Sequence, residues 1–411
     1  MKFRKRYIFL PLAGMILLAL GLFIYGVMWI MDYNKLQKAM GDALPESFYQ
    51  ELPLIRDANG YFGVEVKVNG HQADTFLLDT KAASLAKMEE LKRYDAKFWK
   101  RKPIPTRNFY GQIYRLRVYR IGNIEIGGCK LEGPLFNEVP KKNAMYNILY
   151  RPVIGYNILP SLTWKFSMDD NKMVIFSNKN QETLAKETEG YIRVKDGIGM
   201  AGLTLTNDVM GEASFMVDLG TNGGVIIDKA AFDKLSGKYT PVKYLTMRRL
   251  DRIDTLYQFN NITMNCNNIR IEDCSPVYIP AIDRNIVGGK FMGRMNFVLG
   301  YSKKENGFFT EDLYIRPRCD TAMAVTDRIA DLGFDLNKRS GAFYVTILEL
   351  GGKAEKAGLR IRDEVLAIDN GAVSVDDLTV GSGRVEEYIK RKKEITVNIK
   401  RKGASLNVHI Q

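Results

Sequence analysis

Two short apolar runs, each ending on an aspartate, set the pattern of the chain. Phe76 to Ser84 reads FLLDTKAAS, and Phe215 to Gly223 reads FMVDLGTNG. In both, a strand-like stretch delivers one carboxylate into a turn of small and polar residues. Ionised carboxylates seldom follow a core strand without partners, because desolvating the charge is costly. Upstream of the first run, Phe62, Val64, Val66 and Val68 alternate and Asn69-Gly70 follows, which predicts a hairpin. A short helix is expected after each aspartate, within residues 82–94 and again in 226–235. Strands are expected from Arg115 to Ile126 and from Lys172 to Phe176.

The echo extends beyond the two runs. Ile124, Ile126 and Cys129 have the same mutual spacing as Ile269, Ile271 and Cys274. The pair Ile154-Gly155 closes 76 residues after Asp79, and Val287-Gly288 closes 70 residues after Asp218. Two lobes of one architecture, each contributing one aspartate, is the economical reading.

The chain has 411 residues, too many for one core, and its 46% apolar content suffices to fold two to four domains. A high aromatic share favours β structure. Lys2, Arg4, Lys5 and Arg6 precede an uncharged run from Tyr7 to Met31, which spans about 37 Å as a helix and so can cross a bilayer. The basic cluster predicts that the rest of the chain lies outside the cytoplasm, in the periplasm or cell envelope. A cleaved signal peptide is the competing reading, but Tyr25, Met28, Trp29 and Met31 close the run where small residues would be needed. The expected organisation is an anchor over 1–31, a tether over 32–52, a first lobe over 53–178, a linker over 179–190, a second lobe over 191–312, a linker over 313–324 and a C-terminal domain over 325–411.

Asp-Thr-x-Ala-x-Ser after an apolar strand, followed about 75 residues later by apolar-apolar-Gly, resembles the aspartic peptidases. The two halves look like retropepsin-type units fused in one chain, as in pepsin-like enzymes, over roughly residues 55 to 310. The resemblance implies a mainly β, two-lobed body whose catalytic groups are Asp79 and Asp218. Thr80, Ser84, Gly220 and Thr221 would support the turns, and a flap at Tyr110-Gly111 would fold over a bound polypeptide.

Two carboxylates held close cannot both ionise cheaply, so they share one proton. The ionised member can deprotonate a water while the neutral one donates to a carbonyl oxygen, with no metal, no cofactor and no covalent intermediate. Rival devices lack material, since His71 and His409 are the sole histidines. Two departures from the family pattern bear on activity. Lys81 stands where the family has Gly, and Leu219 stands where it has a hydroxyl residue bracing the lobes. An inactive peptidase-like scaffold is therefore the rival reading, and then Asp79 and Asp218 would merely satisfy backbone N–H groups in their turns.

The last segment contains LGFDL, GAFYVTIL and KAEKAGLRIRDEVLAIDNGAV before two alternating strands. That order resembles a bacterial-type PDZ domain, with Ala354, Ala357-Gly358-Leu359, Asp363, Val365 and Ile368-Asp369 as its most specific part; Arg362 stands where the family has Gly. The resemblance implies that a peptide adds as a strand, its terminal carboxylate capped by Leu332-Gly333-Phe334. The implied partner is a polypeptide substrate or a protein C-terminus.

Four cysteines, Cys129, Cys266, Cys274 and Cys319, are compatible with two bridges or with free buried thiols. A net charge of +13 raises the question of nucleic acid, which the expected compartment argues against.

Overall fold

The computed structural model describes residues 45–411, except 58–59, 100–103, 108–112, 142, 148, 195–200, 250–251, 304–308, 320–331, 340–341, 372, 375–387 and 390–391, together with a few positions between Met15 and Met28. The membrane helix expected over 1–31 falls largely outside these residues. Among the described residues, no helix is long and apolar enough to cross a membrane.

The chain is mainly β. The alternating strand Phe62–Val68 buries Phe62, Val64, Val66 and Val68 on one face. It turns through Asn69 and Gly70, both at positive φ (48° and 78°), as a tight hairpin requires. It then pairs antiparallel with Asp74–Leu78, Gly63 opposite Leu77. The strand Asp74–Leu78 also runs parallel to Val153–Ile154, with Leu77 opposite Val153 and Leu78 opposite Ile154. The second half repeats this plan. Gly202–Asn207 pairs antiparallel with Gly211–Val217, which runs parallel to Ile286–Val287, Met216 opposite Ile286 and Val217 opposite Val287.

The halves join in one six-stranded sheet, in the order Tyr49–Pro53, Lys172–Ser177, Leu162–Ser167, Met295–Lys303, Phe309–Pro317, Ile192–Val194. The first half supplies the first three strands and the second half the last three, in mirrored order. At the join, Phe166 lies opposite Phe297 with rings stacked at 4.4 Å, and Phe62 packs edge-on against both. One hydrophobic core runs through both halves, so the faces that each repeat leaves open cover one another.

Three sequence expectations shift. The strand Tyr49–Pro53 begins inside the expected tether; it is an exposed edge held by backbone pairing with Lys172–Ser177, so it carries no apolar alternation to read. The helix Gln181–Glu187 lies inside the expected first linker, started by the Asn180 side chain accepting the Thr183 N–H at 2.9 Å. The spacing shared by Ile124, Ile126, Cys129 and Ile269, Ile271, Cys274 falls on non-equivalent strands. Asn123–Ile126 forms a hairpin with Cys129–Glu132, and Ile262–Cys266 forms one with Ile269–Cys274. Ile126 opposes Cys129 where Cys266 opposes Ile269, so the counterpart of Cys129 is Ile269. No disulfide joins the four cysteines, and Cys129, Cys266 and Cys274 are buried.

The C-terminal part has its own core, built on Leu332, Phe334, Val345, Leu359, Val365 and Val397. Its buried Asp363 accepts a two-pronged contact from Arg401 (2.7 and 2.6 Å), and Arg362 beside it takes a left-handed φ of 75°. Its strand Ala342–Glu349 pairs with Val242–Arg249 of the second half, Leu348 opposite Leu245, so one sheet runs through both.

Candidate active site

Each aspartate is placed by the same bond. The Asp79 N–H donates to the Ile154 carbonyl at 3.0 Å, and the Asp218 N–H donates to the Val287 carbonyl at 2.9 Å. Gly155 and Gly288 follow those carbonyls because nothing larger fits. A Cβ on Gly155 would lie 2.2 Å from the Ala82 carbonyl oxygen, and one on Gly288 would lie 2.3 Å from that of Gly223. The apolar-apolar-Gly signature in the sequence is thus a steric requirement of the aspartate turn.

The two carboxylates flank Gly220. Asp218 Oδ1 accepts the Gly220 N–H at 3.0 Å, while a Cβ on Gly220 would lie 2.0 Å from Asp79 Oδ2. Asp79 Oδ1 accepts the N–H groups of Lys81 (2.8 Å) and Ala82 (2.7 Å), and Asp218 Oδ2 accepts the Thr221 hydroxyl at 3.0 Å. Burial pushes the Asp218 carboxyl up to about 7, and the neighbouring Asp79 charge pushes in the same direction. Burial also raises Asp79, against the lowering pull of its two backbone bonds and of Lys81. These are the conditions under which two carboxyls hold one proton between them.

The turns are braced from one side. The Thr80 hydroxyl donates to the Val217 carbonyl at 2.9 Å and accepts the Leu219 N–H at 3.2 Å, crossing between the halves. Leu219 is fully buried and returns no such bond. Lys81 does not bridge the carboxylates. Its ammonium meets Glu311 at 2.5 Å, with both side chains 13% exposed.

Two apolar walls occupy matching places. In the first half, Leu77, Leu85, Leu116, Val139, Leu149 and Val153 cluster outside the main core, with Tyr61 and Tyr150 against them. In the second, Ile226, Ile282 and Ile286 cluster with Met216 and Ile279. Register makes them equivalents: Val153 lies opposite both Leu77 and Leu85, as Ile286 lies opposite Met216 and Ile226.

Of the residues singled out from sequence, Asp79, Asp218, Thr80, Gly220 and Thr221 converge. Ser84 is turned elsewhere: its hydroxyl accepts the Gly155 N–H at 2.9 Å, tying the turn to the following strand rather than meeting Asp79. Tyr110 and Gly111 lie outside the described residues, although the strands on either side, Ile104–Arg107 and Ile113–Leu116, do pair as a hairpin. Leu332 and Phe334 are buried in the C-terminal core, and Gly333 between them takes a left-handed φ of 79°.

Sequence reasoning missed Glu311 and Tyr61. Glu311 sits on a strand with no motif around it, and its role exists only because Lys81 reaches it. Burial, then the charges of Asp57, Asp79 and Asp218, hold the Tyr61 hydroxyl well above its usual value, so it feels both aspartates of the pair. Its position just before the alternating strand was the available signal. Among the described residues, no group of three or more His, Cys, Asp or Glu side chains is placed to hold a metal ion.

No family model matches the chain, and no curated protein does. Among solved structures, it is similar to a retropepsin-like aspartic protease from Rickettsia conorii, at 16% identity over 31% of this chain and 91% of that one, with a TM-score of 0.23.

Proposed function

We propose that the chain is an aspartic-type endopeptidase that hydrolyses extended polypeptide segments, anchored in a membrane by residues 1–31 with its body in the periplasm or cell envelope. The observation that carries this reading is the pair Asp79 and Asp218 on either side of Gly220, Asp218 buried and Asp79 half-buried, with both carboxyls pushed upward by desolvation. Asp79, with two backbone N–H groups on one oxygen, serves as the ionised member. Asp218, raised to about 7, serves as the protonated one.

Asp79 takes a proton from water, whose oxygen bonds to the scissile carbonyl carbon while Asp218 gives its proton to the carbonyl oxygen. The resulting gem-diol collapses: Asp218 recovers a hydroxyl proton, the amide nitrogen receives the proton held by Asp79, and the C–N bond breaks. The matching apolar walls favour substrates with apolar side chains on both sides of the cut.

The C-terminal domain, 325–411, is a PDZ-like module that receives a substrate or partner by strand addition near Leu332, Gly333 and Phe334. Support comes from the strand Phe334–Arg339, which among the described residues pairs with Ala342–Glu349 and no other strand.

A non-catalytic scaffold is the second reading, favoured by the buried Leu219 in place of a hydroxyl and by a cation beside the pair. Incubating the full chain with a peptide library and sequencing the products separates the two. The peptidase reading expects cuts between apolar residues, faster below pH 7 than above it. No cuts at any pH, with partner binding that depends on Gly333, would replace it with the scaffold.

A further inference from the structure

The one-sided brace leaves a gap that other residues fill. With Leu219 at its position, the second half sends no hydroxyl across to the first. The first half instead sends Lys81, whose backbone N–H holds Asp79 Oδ1 while its ammonium reaches Glu311 on the strand Phe309–Pro317. The same oxygen, Glu311 Oε2, accepts the Ala201 N–H at 2.6 Å, at the entrance to the second half's first long strand. One carboxylate oxygen therefore gathers the aspartate turn of one half and the backbone of the other. Directly across the sheet from Glu311 is Tyr301, whose buried hydroxyl has no hydrogen-bond partner among the described residues. Both charges of the ion pair are largely out of water, so neither can be released to solvent without rearrangement.

We propose that Lys81 and Glu311 form a cross-half bridge that stands in for the missing hydroxyl brace and holds a cation beside, but off, the Asp79–Asp218 pair. It rests on the reading of those aspartates as a working pair. Lys81 and Glu311 are positioning residues: Glu311 neutralises the ammonium and keeps it from collapsing onto the carboxylates, where it would favour two charges and expel the shared proton. The groups facing the pair are then Lys81, Glu311 behind it, and Tyr61 on the first-half wall, with Asp57 beyond Tyr61 and Tyr301 beyond Glu311.

The test is a carboxyl titration of the full chain carrying 13C-labelled aspartate, with signals assigned through Asp79→Asn and Asp218→Asn. Lys81→Met removes the cation and should move the shared-proton midpoint up by about one pH unit. Glu311→Gln removes the neutralising charge and frees the cation, so it should move the midpoint down. Packing damage alone has no reason to produce opposite signs. Movement in the same direction, or none, overturns the proposal. Lys81→Arg keeps the charge and supplies a milder check: it should titrate near the parent protein, and a shift as large as that of Lys81→Met also overturns it. Opposite shifts in a protein that cleaves nothing would keep the bridge and dismiss the peptidase reading, whereas cleavage without those shifts would do the reverse.

Discussion

The two aspartate turns have the same backbone and different chemistry. Both hang from a parallel strand by an N–H···O bond of 3.0 or 2.9 Å, and both are followed across that strand by a glycine with no room for a Cβ. Thereafter they divide the work. The first turn keeps the cross-half hydroxyl, Thr80, and gives Asp79 two backbone donors. The second turn gives up that hydroxyl for a buried leucine but keeps one, Thr221, on the carboxylate itself, and it keeps the glycine that lets the carboxylates approach. A duplicated site need not stay symmetrical, provided each essential contact survives in at least one copy.

The largest effect should come from Gly220→Ala. Its methyl would overlap Asp79 Oδ2 at 2.0 Å, so cleavage should vanish and the fold should lose about 3 kcal/mol, as overpacking of a tight site does. Chemical denaturation and cleavage of a reporter peptide check both. A well-tolerated alanine would mean that the carboxylates are not held at that residue.

Thr80→Val should follow, at about 2–3 kcal/mol, because it leaves a buried N–H and a buried carbonyl without their shared partner. Leu219→Val, which only trims packing, should cost about 1 kcal/mol. Equal losses in the two denaturation curves would erase the distinction between the braced and the unbraced turn.

The pH dependence of stability separates the carboxylates from their surroundings. A carboxyl that titrates near 7 when folded, against 3.8 unfolded, binds its proton more tightly in the folded state. Its contribution to stability is full below about pH 4 and is lost as pH rises through about 7. Asp218→Asn should therefore melt close to the parent protein at pH 4 and above it at pH 8. Thermal melts showing the reverse order would place the shared proton elsewhere.

A small change is expected of Thr221→Ala. Losing its hydroxyl should cost about 1 kcal/mol and raise the Asp218 midpoint, since that bond favours the ionised form. The corresponding position in the first turn, Ala82, contributes only its backbone, so Ala82→Gly should leave the Asp79 titration unchanged.

How much of this was legible follows from which contacts are local. The hairpin at Asn69-Gly70, the paired Asp79 and Asp218, and the glycines at 155 and 288 are written as short patterns, because each is a constraint on a few adjacent residues. The cysteine spacing misled because hairpins repeat the same residue intervals on successive strands, and only the register shows that Cys129 matches Ile269. The edge strand Tyr49–Pro53 left no trace, since its pairing is made by backbone and all its side chains but that of Leu52 are exposed. Lys81 stands out in the sequence only as a departure that bears on activity, because the sequence shows its charge but not its destination. Glu311 lies 230 residues away, and no periodicity connects them.

The central claim is that Asp79 and Asp218 act as a single catalytic unit. The most direct measurement is the cleavage rate of the full chain and of Asp79→Asn, Asp218→Asn and the double variant, all on one peptide with apolar residues flanking the bond. Either substitution alone should reduce the rate as far as both together, by about a hundredfold or more. Additive losses, or a rate that survives either single change, would contradict the account.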